Sequence, residues 1–247
     1  MLFRPEDRER VQRSLLARAE ADTRVVAAAV VGSEAEGRTD RFSDIDLTFG
    51  VQSGVPVEGV LADWTEAVRA EMDGLDLFDL HVGSTIYRVF LLPGNLQVDL
   101  SFSPENSFGA TGSRFRLLFG NAVEKPWTGQ PDPHELMGLA VHHALRARFA
   151  IERERFWQAE YWLSETRNHA LALACFGQGL DAWHGRTVDR LPPDLLHRFE
   201  ETLVRHVEPG DLFRALKTAV ELLREAAEEA EILSEPMKRR LAELIST

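Results

Sequence analysis

From Val25 to Val31 the chain reads Val-Val-Ala-Ala-Ala-Val-Val, and from Asp44 to Val51 apolar and polar residues alternate. The first is a β-branched, alanine-rich run and the second has a period of two, so both predict β-strands. Before them, Arg4-Pro5-Glu6 opens a polar segment with Val11, Leu15, Leu16 and Ala19 at helical spacing, and proline suits a first helical turn. After the Gly54-Val55-Pro56 turn, Val57 to Met72 sets Val60, Leu61, Trp64, Ala67, Val68 and Met72 on one helical face. Asp73-Gly74 ends that helix. Leu75 to Val82 and Thr85 to Leu92 read as two further strands, and Pro93-Gly94-Asn95 turns the second back onto Leu96 to Phe102 as an antiparallel hairpin.

Past Pro131 and Pro133 the period becomes helical throughout. Helices are expected over His134 to Arg153, Glu154 to His184, Pro193 to His206, Asp211 to Glu231 and Glu235 to Ile245, which together form a bundle. The aromatic residues of the second, Phe156, Trp157, Tyr161, Trp162 and Phe176, are assigned mainly to packing between helices. The pattern therefore predicts an α+β chain of two domains, residues 1–130 with a small sheet flanked by helices and residues 131–247 all helical.

At 247 residues either one large domain or two small ones can bury a core. Net charge is −12, which disfavours broad contact with a nucleic-acid backbone and favours a cationic or neutral substrate. The single cysteine, Cys175, excludes an intrachain disulfide and a cysteine-rich zinc site, and its apolar neighbours make it a core thiol. Met1 to Arg10 is charged without an apolar centre, and no run reaches about 20 apolar residues, so a cytoplasmic protein with no membrane span is expected.

The candidate chemistry lies around Gly32-Ser33 and Asp44-Ile45-Asp46-Leu47. In a strand, Asp44 and Asp46 leave one face while Ile45, Leu47 and Phe49 leave the other. Two carboxylates crowded on one face repel each other unless cations share them, the means by which Mg²⁺ is held together with a substrate's phosphates. Gly32 permits close approach of the backbone to a ligand, and Ser33, near the start of a short helix, suits a phosphate oxygen.

An apolar strand, Gly-Ser, ten intervening residues, Asp-Ile-Asp-Leu and a later Val98-Asp99-Leu100 together resemble the signature of the nucleotidyltransferase superfamily that includes DNA polymerase beta. The resemblance implies a mixed sheet and transfer of a nucleoside monophosphate from a nucleoside triphosphate, with ATP as the expected donor, to a hydroxyl. It implies two Mg²⁺ ions held by Asp44, Asp46 and Asp99. Asp99 is the first choice for general base and Glu160 the second. Such convergence requires the Asp99 strand to lie beside the Asp44–Asp46 strand.

Ser33 and the Gly32 backbone are then expected to meet the triphosphate, with Arg38 and Arg116, from Ser113-Arg114-Phe115-Arg116, as further phosphate contacts. A small sheet domain followed by a helical bundle resembles the antibiotic nucleotidyltransferases that adenylylate aminoglycosides or lincosamides. That likeness implies a small-molecule acceptor, for which Glu160, Tyr161 and Arg167 on the aromatic helix are candidates, and a monomer or homodimer. Two other readings stay open: an adenylyltransferase acting on protein or RNA, and a nucleotide-binding sensor without catalysis. His142, His143, His169 and His184 lack H-E-x-x-H or cysteine-partnered spacing, so no structural zinc site is expected.

Overall fold

The computed structural model of the chain describes residues 2–110, 112, 114–125 and 130–246. The chain divides into two compact units, Met1–Thr128 and Gly129–Thr247. Among the described residues there are eight α-helices and six strands, an α+β architecture with all the strands in the first unit.

In the first unit, α1 (Pro5–Ala21) precedes β1 (Val25–Val31), and a four-residue helix, α2 (Gly32–Ala35), follows it directly. Then come β2 (Ile45–Val51), α3 (Val57–Met72), β3 (Leu75–Val82), β4 (Thr85–Leu92), β5 (Leu96–Pro104) and β6 (Phe115–Phe119). The strand order is β3-β4-β5-β2-β1-β6. Only the β2–β5 pairing is parallel, and the remaining four are antiparallel, so the sheet is mixed.

The period-two pattern explains what each face does. Leu47 and Phe49 of β2, Leu100 and Phe102 of β5 and Val30 of β1 are buried together with Leu15 of α1 and Trp64 of α3. Phe49, Trp64 and Phe102 form a three-ring contact with centroids 4.8 to 5.2 Å apart, inside the range in which aromatic pairs add to area burial. The opposite face of β1, Ala27 and Ala29, packs on Phe108, and small side chains on that strand leave room for the ring.

The two edge strands of the sheet, β3 and β6, stand apart from the others. The alternating run Leu75 to Val82 forms a strand but buries neither side: as an edge strand it leaves Leu75, Leu77, Phe78, Leu80 and Val82 each more than half exposed. The sixth strand, Phe115–Phe119, was not anticipated, because Phe-Arg-Leu-Leu-Phe has no period of two; its pairing with β1 supplies the order that its own sequence does not.

The second unit contains α4 (Pro133–Glu152), α5 (Phe156–Gly177), α6 (Pro193–Glu200), α7 (Pro209–Glu229) and α8 (Glu235–Leu244). Asp132 caps α4 by accepting from the His134 amide at 2.9 Å, with Pro133 in the first turn. Ala140, Ala144 and Ala147 of α4 meet Leu163, Ala170 and Leu173 of α5 and Leu216, Val220 and Leu223 of α7 in one buried core. Alanines at this spacing let the helix backbones approach closely.

Helix α5 stops at Gly177 and does not reach His184. The Gly179 amide donates to the Phe176 carbonyl and the Leu180 amide to that of Cys175, both at 2.9 Å, with Gly179 at φ 66°. This is a Schellman termination, and it needs a residue that adopts positive φ without strain. The following segment forms two 3-10 turns, Trp183–Gly185 and Val188–Arg190. The aromatic load of α5 is divided: Trp162 packs on the core, whereas Trp157 and Tyr161 stay exposed. Cys175 is fully buried. Among the described residues no helix is long and apolar enough to cross a membrane.

Candidate functional site

The parallel register of β2 and β5 pairs Asp46 directly with Asp99. Neighbouring strands are separated by about 4.8 Å, so residues opposite each other in register on one face bring their side chains together. Asp44, immediately before β2, joins them: one carboxylate oxygen from each of Asp44, Asp46 and Asp99 lies within 4.8 Å of the others, and all three residues are partly buried. The strand adjacency that convergence of the acids requires is thus present.

Burial, and then the negative charge of Asp44, push the Asp99 carboxyl above the ordinary carboxylate range, while hydrogen bonds from Gln97 oppose the rise. The Gln97 amide donates to both Asp99 oxygens, at 3.0 and 3.2 Å. Three oxygen donors from crowded, partly desolvated acids form the hard ligand set that suits Mg²⁺, and a divalent ion would relieve the repulsion recorded in Asp99.

Gly32 closes one side of this group. The antiparallel pairing of Val30 with Leu47 carries β1 past the start of β2, so the turn that follows sits beside Asp46. Gly32 has φ 69°, and a Cβ there would lie only 2.2 Å from Asp46 Oδ2. Both the conformation and the contact demand glycine. Ser33 follows in the first turn of α2, and its carbonyl accepts from the Arg38 amide at 2.9 Å.

The turn is held from behind by residues that the sequence did not single out. Arg8 of α1 is nearly buried and donates to Glu34 Oε2 at 2.6 Å and to the Asp44 carbonyl at 3.1 Å. Gln12 donates to the other Glu34 oxygen at 2.7 Å. One guanidinium thereby ties the start of α2 to the residue that carries the first acid. No local signal reveals this, because Arg8 and Glu34 stand 26 positions apart and each alone reads as a solvated helical charge.

The candidate phosphate-binding arginines take different positions. Arg116 reaches Glu34 Oε1 at 3.3 Å and is half exposed, next to the Gly32–Ser33 turn. Arg38 pairs with Glu36, which Arg114 also approaches at 3.4 Å. The hydrogen bond from Arg38, followed by the charge of Arg114, holds the Glu36 carboxyl below its usual range. Ser113 lies outside the described residues.

Glu160, Tyr161 and Arg167 belong to α5 in the second unit. Ser164 donates to Glu160 at 2.7 Å and accepts from Arg167 at 2.8 Å, while Arg167 also donates to the Thr202 carbonyl at 3.3 Å. Burial lowers the Arg167 pKa, and the charge of Glu160 opposes that. Tyr161 is exposed and sets its ring edge-on to Trp162. Arg167 is therefore already engaged, whereas Glu160 and Tyr161 retain surface.

No known family model and no curated protein sequence matches the chain. Among solved structures, the chain is similar to the crystal structure of an aminoglycoside 6-adenyltransferase from Bacillus subtilis. The identity is 15%, the TM-score 0.42, and the match covers 98% of this chain and 99% of that one. A match at this level is a likeness of fold at most.

Proposed function

We propose that the protein is a magnesium-dependent nucleotidyltransferase that moves AMP from ATP to a hydroxyl of a small, aminoglycoside-like molecule in the cytoplasm. The observation that carries this reading is the convergence of Asp44, Asp46 and Asp99 beside a glycine turn packed against Asp46. In this proposal the first unit is the nucleotidyltransferase catalytic domain and the second a C-terminal helical bundle domain. Asp44, Asp46 and Asp99 would together hold the two Mg²⁺ ions. When bound, the ions lower the pKa of the attacking hydroxyl and neutralise charge on the departing pyrophosphate.

The chain's own groups do the rest. The Gly32 backbone and Ser33 bind the triphosphate, and Arg116, alongside Glu34, supplies a charge-assisted contact to it; Arg38 is a further phosphate contact once released from Glu36. Asp99 takes the proton of the acceptor hydroxyl, whose oxygen forms the new bond to the α-phosphorus as the bond to the β-phosphate breaks. Glu160 and Tyr161 recognise the acceptor, the carboxylate attracting a cationic group and the exposed ring offering a stacking surface, with Arg167 bracing Glu160 through Ser164. The net charge of −12 favours the approach of a polycation.

The test is ATP and Mg²⁺ with a panel of hydroxylated amines, read by mass spectrometry for an added nucleoside monophosphate and by pyrophosphate release. Asp46→Asn should abolish both while leaving the circular dichroism spectrum unchanged. Undiminished transfer by that variant would remove Asp46 from the ligand set, and in a parallel incubation with labelled ATP and a cell lysate, label appearing only in macromolecules would replace the acceptor class.

A further inference from the structure

A second convergence of metal-ligating side chains lies within the helical unit. His143 of α4 and Glu165 and His169 of α5 each bring one ligand atom within 4.8 Å of the others. Glu165 and His169 are four residues apart and share one face of α5, while His143 comes from the neighbouring helix. The spacing thus escapes any motif written along a single helix, such as H-E-x-x-H.

Two details of hydrogen bonding set this group apart from ordinary packing. His169 Nδ1 lies 2.7 Å from the Glu165 carbonyl oxygen. A proton held there leaves the Nε2 lone pair available, the arrangement by which a backbone carbonyl fixes the tautomer of a metal-binding imidazole. His143 Nδ1, in contrast, is buried with no hydrogen-bond partner. Trp162 stacks on the His143 ring at 5.1 Å and 26°, and His169 meets it edge-on at 5.1 Å, so the ring is held from two sides. An unpaired buried nitrogen is costly, and a metal ion accepting its lone pair would remove that cost.

We propose that His143, Glu165 and His169 bind one first-row divalent transition-metal ion of the zinc class, linking α4 to α5. Two imidazoles and one carboxylate are the donors that zinc takes when it keeps a fourth position open. Metal–nitrogen bonds of about 2.0 Å place tetrahedral ligand atoms about 3.3 Å apart, so side-chain rotations of about 1 Å complete the site. His169 also lines a cavity of about 560 Å³ together with Asn168, Trp183 and His184. Arg146, the nearby cation, donates to His142 at 2.8 Å and lies over the Trp162 ring.

The experiment uses the full chain, stripped with a chelator and titrated with Zn²⁺ by calorimetry in excess Mg²⁺, with Co²⁺ as a spectroscopic substitute. The wild-type protein and Asp46→Asn should each bind one Zn²⁺ and give the visible absorption of tetrahedral Co²⁺. His169→Gln and Glu165→Gln should weaken Zn²⁺ at least about tenfold and lose the Co²⁺ bands. His143→Gln should do the same; where it disturbs the fold through Trp162, the other two variants decide. Absence of a 1:1 Zn²⁺ site in the wild-type chain overturns the proposal, as does equal Zn²⁺ affinity in folded His169→Gln and Glu165→Gln. Loss of the Zn²⁺ site in Asp46→Asn would assign it to the other acids and also overturns it.

Discussion

Replacing Gly32 by alanine tests how closely the turn and the acids are built as one object. The new methyl would sit 2.2 Å from Asp46 Oδ2 and 3.1 Å from its Cγ, so the carboxylate has to move by about 1 Å to restore ordinary contact. The backbone at φ 69° adds about 1–2 kcal/mol of strain for any residue with a Cβ. Urea denaturation should therefore show a stability loss of about 1–2 kcal/mol with an unchanged slope. A displacement of about 1 Å at a reacting centre costs on the order of 100-fold in rate, so AMP transfer should fall about that much. The two effects separate in an Asp46→Asn background. There the alanine should still cost stability, but it should have no further effect on Mg²⁺-dependent binding of an ATP analogue by calorimetry. Wild-type transfer by Gly32→Ala would refute the reasoning, because it would mean that the Asp46 position observed beside the turn is irrelevant to the reaction.

Other outcomes follow from the groups that surround the site. Arg8→Met should cost about 3 kcal/mol in urea denaturation, since it leaves Glu34 and the Asp44 carbonyl without their nearly buried partner, and should weaken nucleotide binding in parallel. Asp22 accepts from Arg24 and from Trp64 Nε1 at 3.0 Å, and the hydrogen bond from Arg24 foremost holds its carboxyl at about 2, below the ordinary 3.8. A depressed acid stabilises the folded state above its unfolded pKa. Asp22→Asn should therefore lose about 2 kcal/mol at pH 7, and the gap from wild type should close as pH falls from about 4 through about 2. A pH-independent gap in thermal or urea unfolding would contradict that.

Much of this was legible in the chain because the relevant signals are local. Asp44 and Asp46 show their shared face through a two-residue spacing, and Asp99 is set between apolar neighbours on a hairpin strand that Pro93-Gly94-Asn95 announces. What was not legible depends on partners distant in the sequence. Phe115–Phe119 is a strand because β1 offers an edge, and Arg8 matters because Glu34 and Asp44 come to it. The end of α5 is a different case: Gly177-Gln178-Gly179 carries the stop, but the apolar run Ala170 to Phe176 before it and Leu180, Ala182 and Trp183 after it continue a helical pattern. His143, Glu165 and His169 are contributed by two helices, and a motif written along one helix cannot represent them.

The central claim is that Asp44, Asp46 and Asp99 hold divalent ions against a triphosphate. Crystals grown with a nonhydrolysable ATP analogue and Mn²⁺, measured for anomalous scattering, address it directly. Mn²⁺ peaks are expected in contact with oxygens of all three acids, with the triphosphate running over the Gly32–Ser33 turn. Nucleotide bound elsewhere, or bound at the turn with no peak at the three carboxylates, would contradict it.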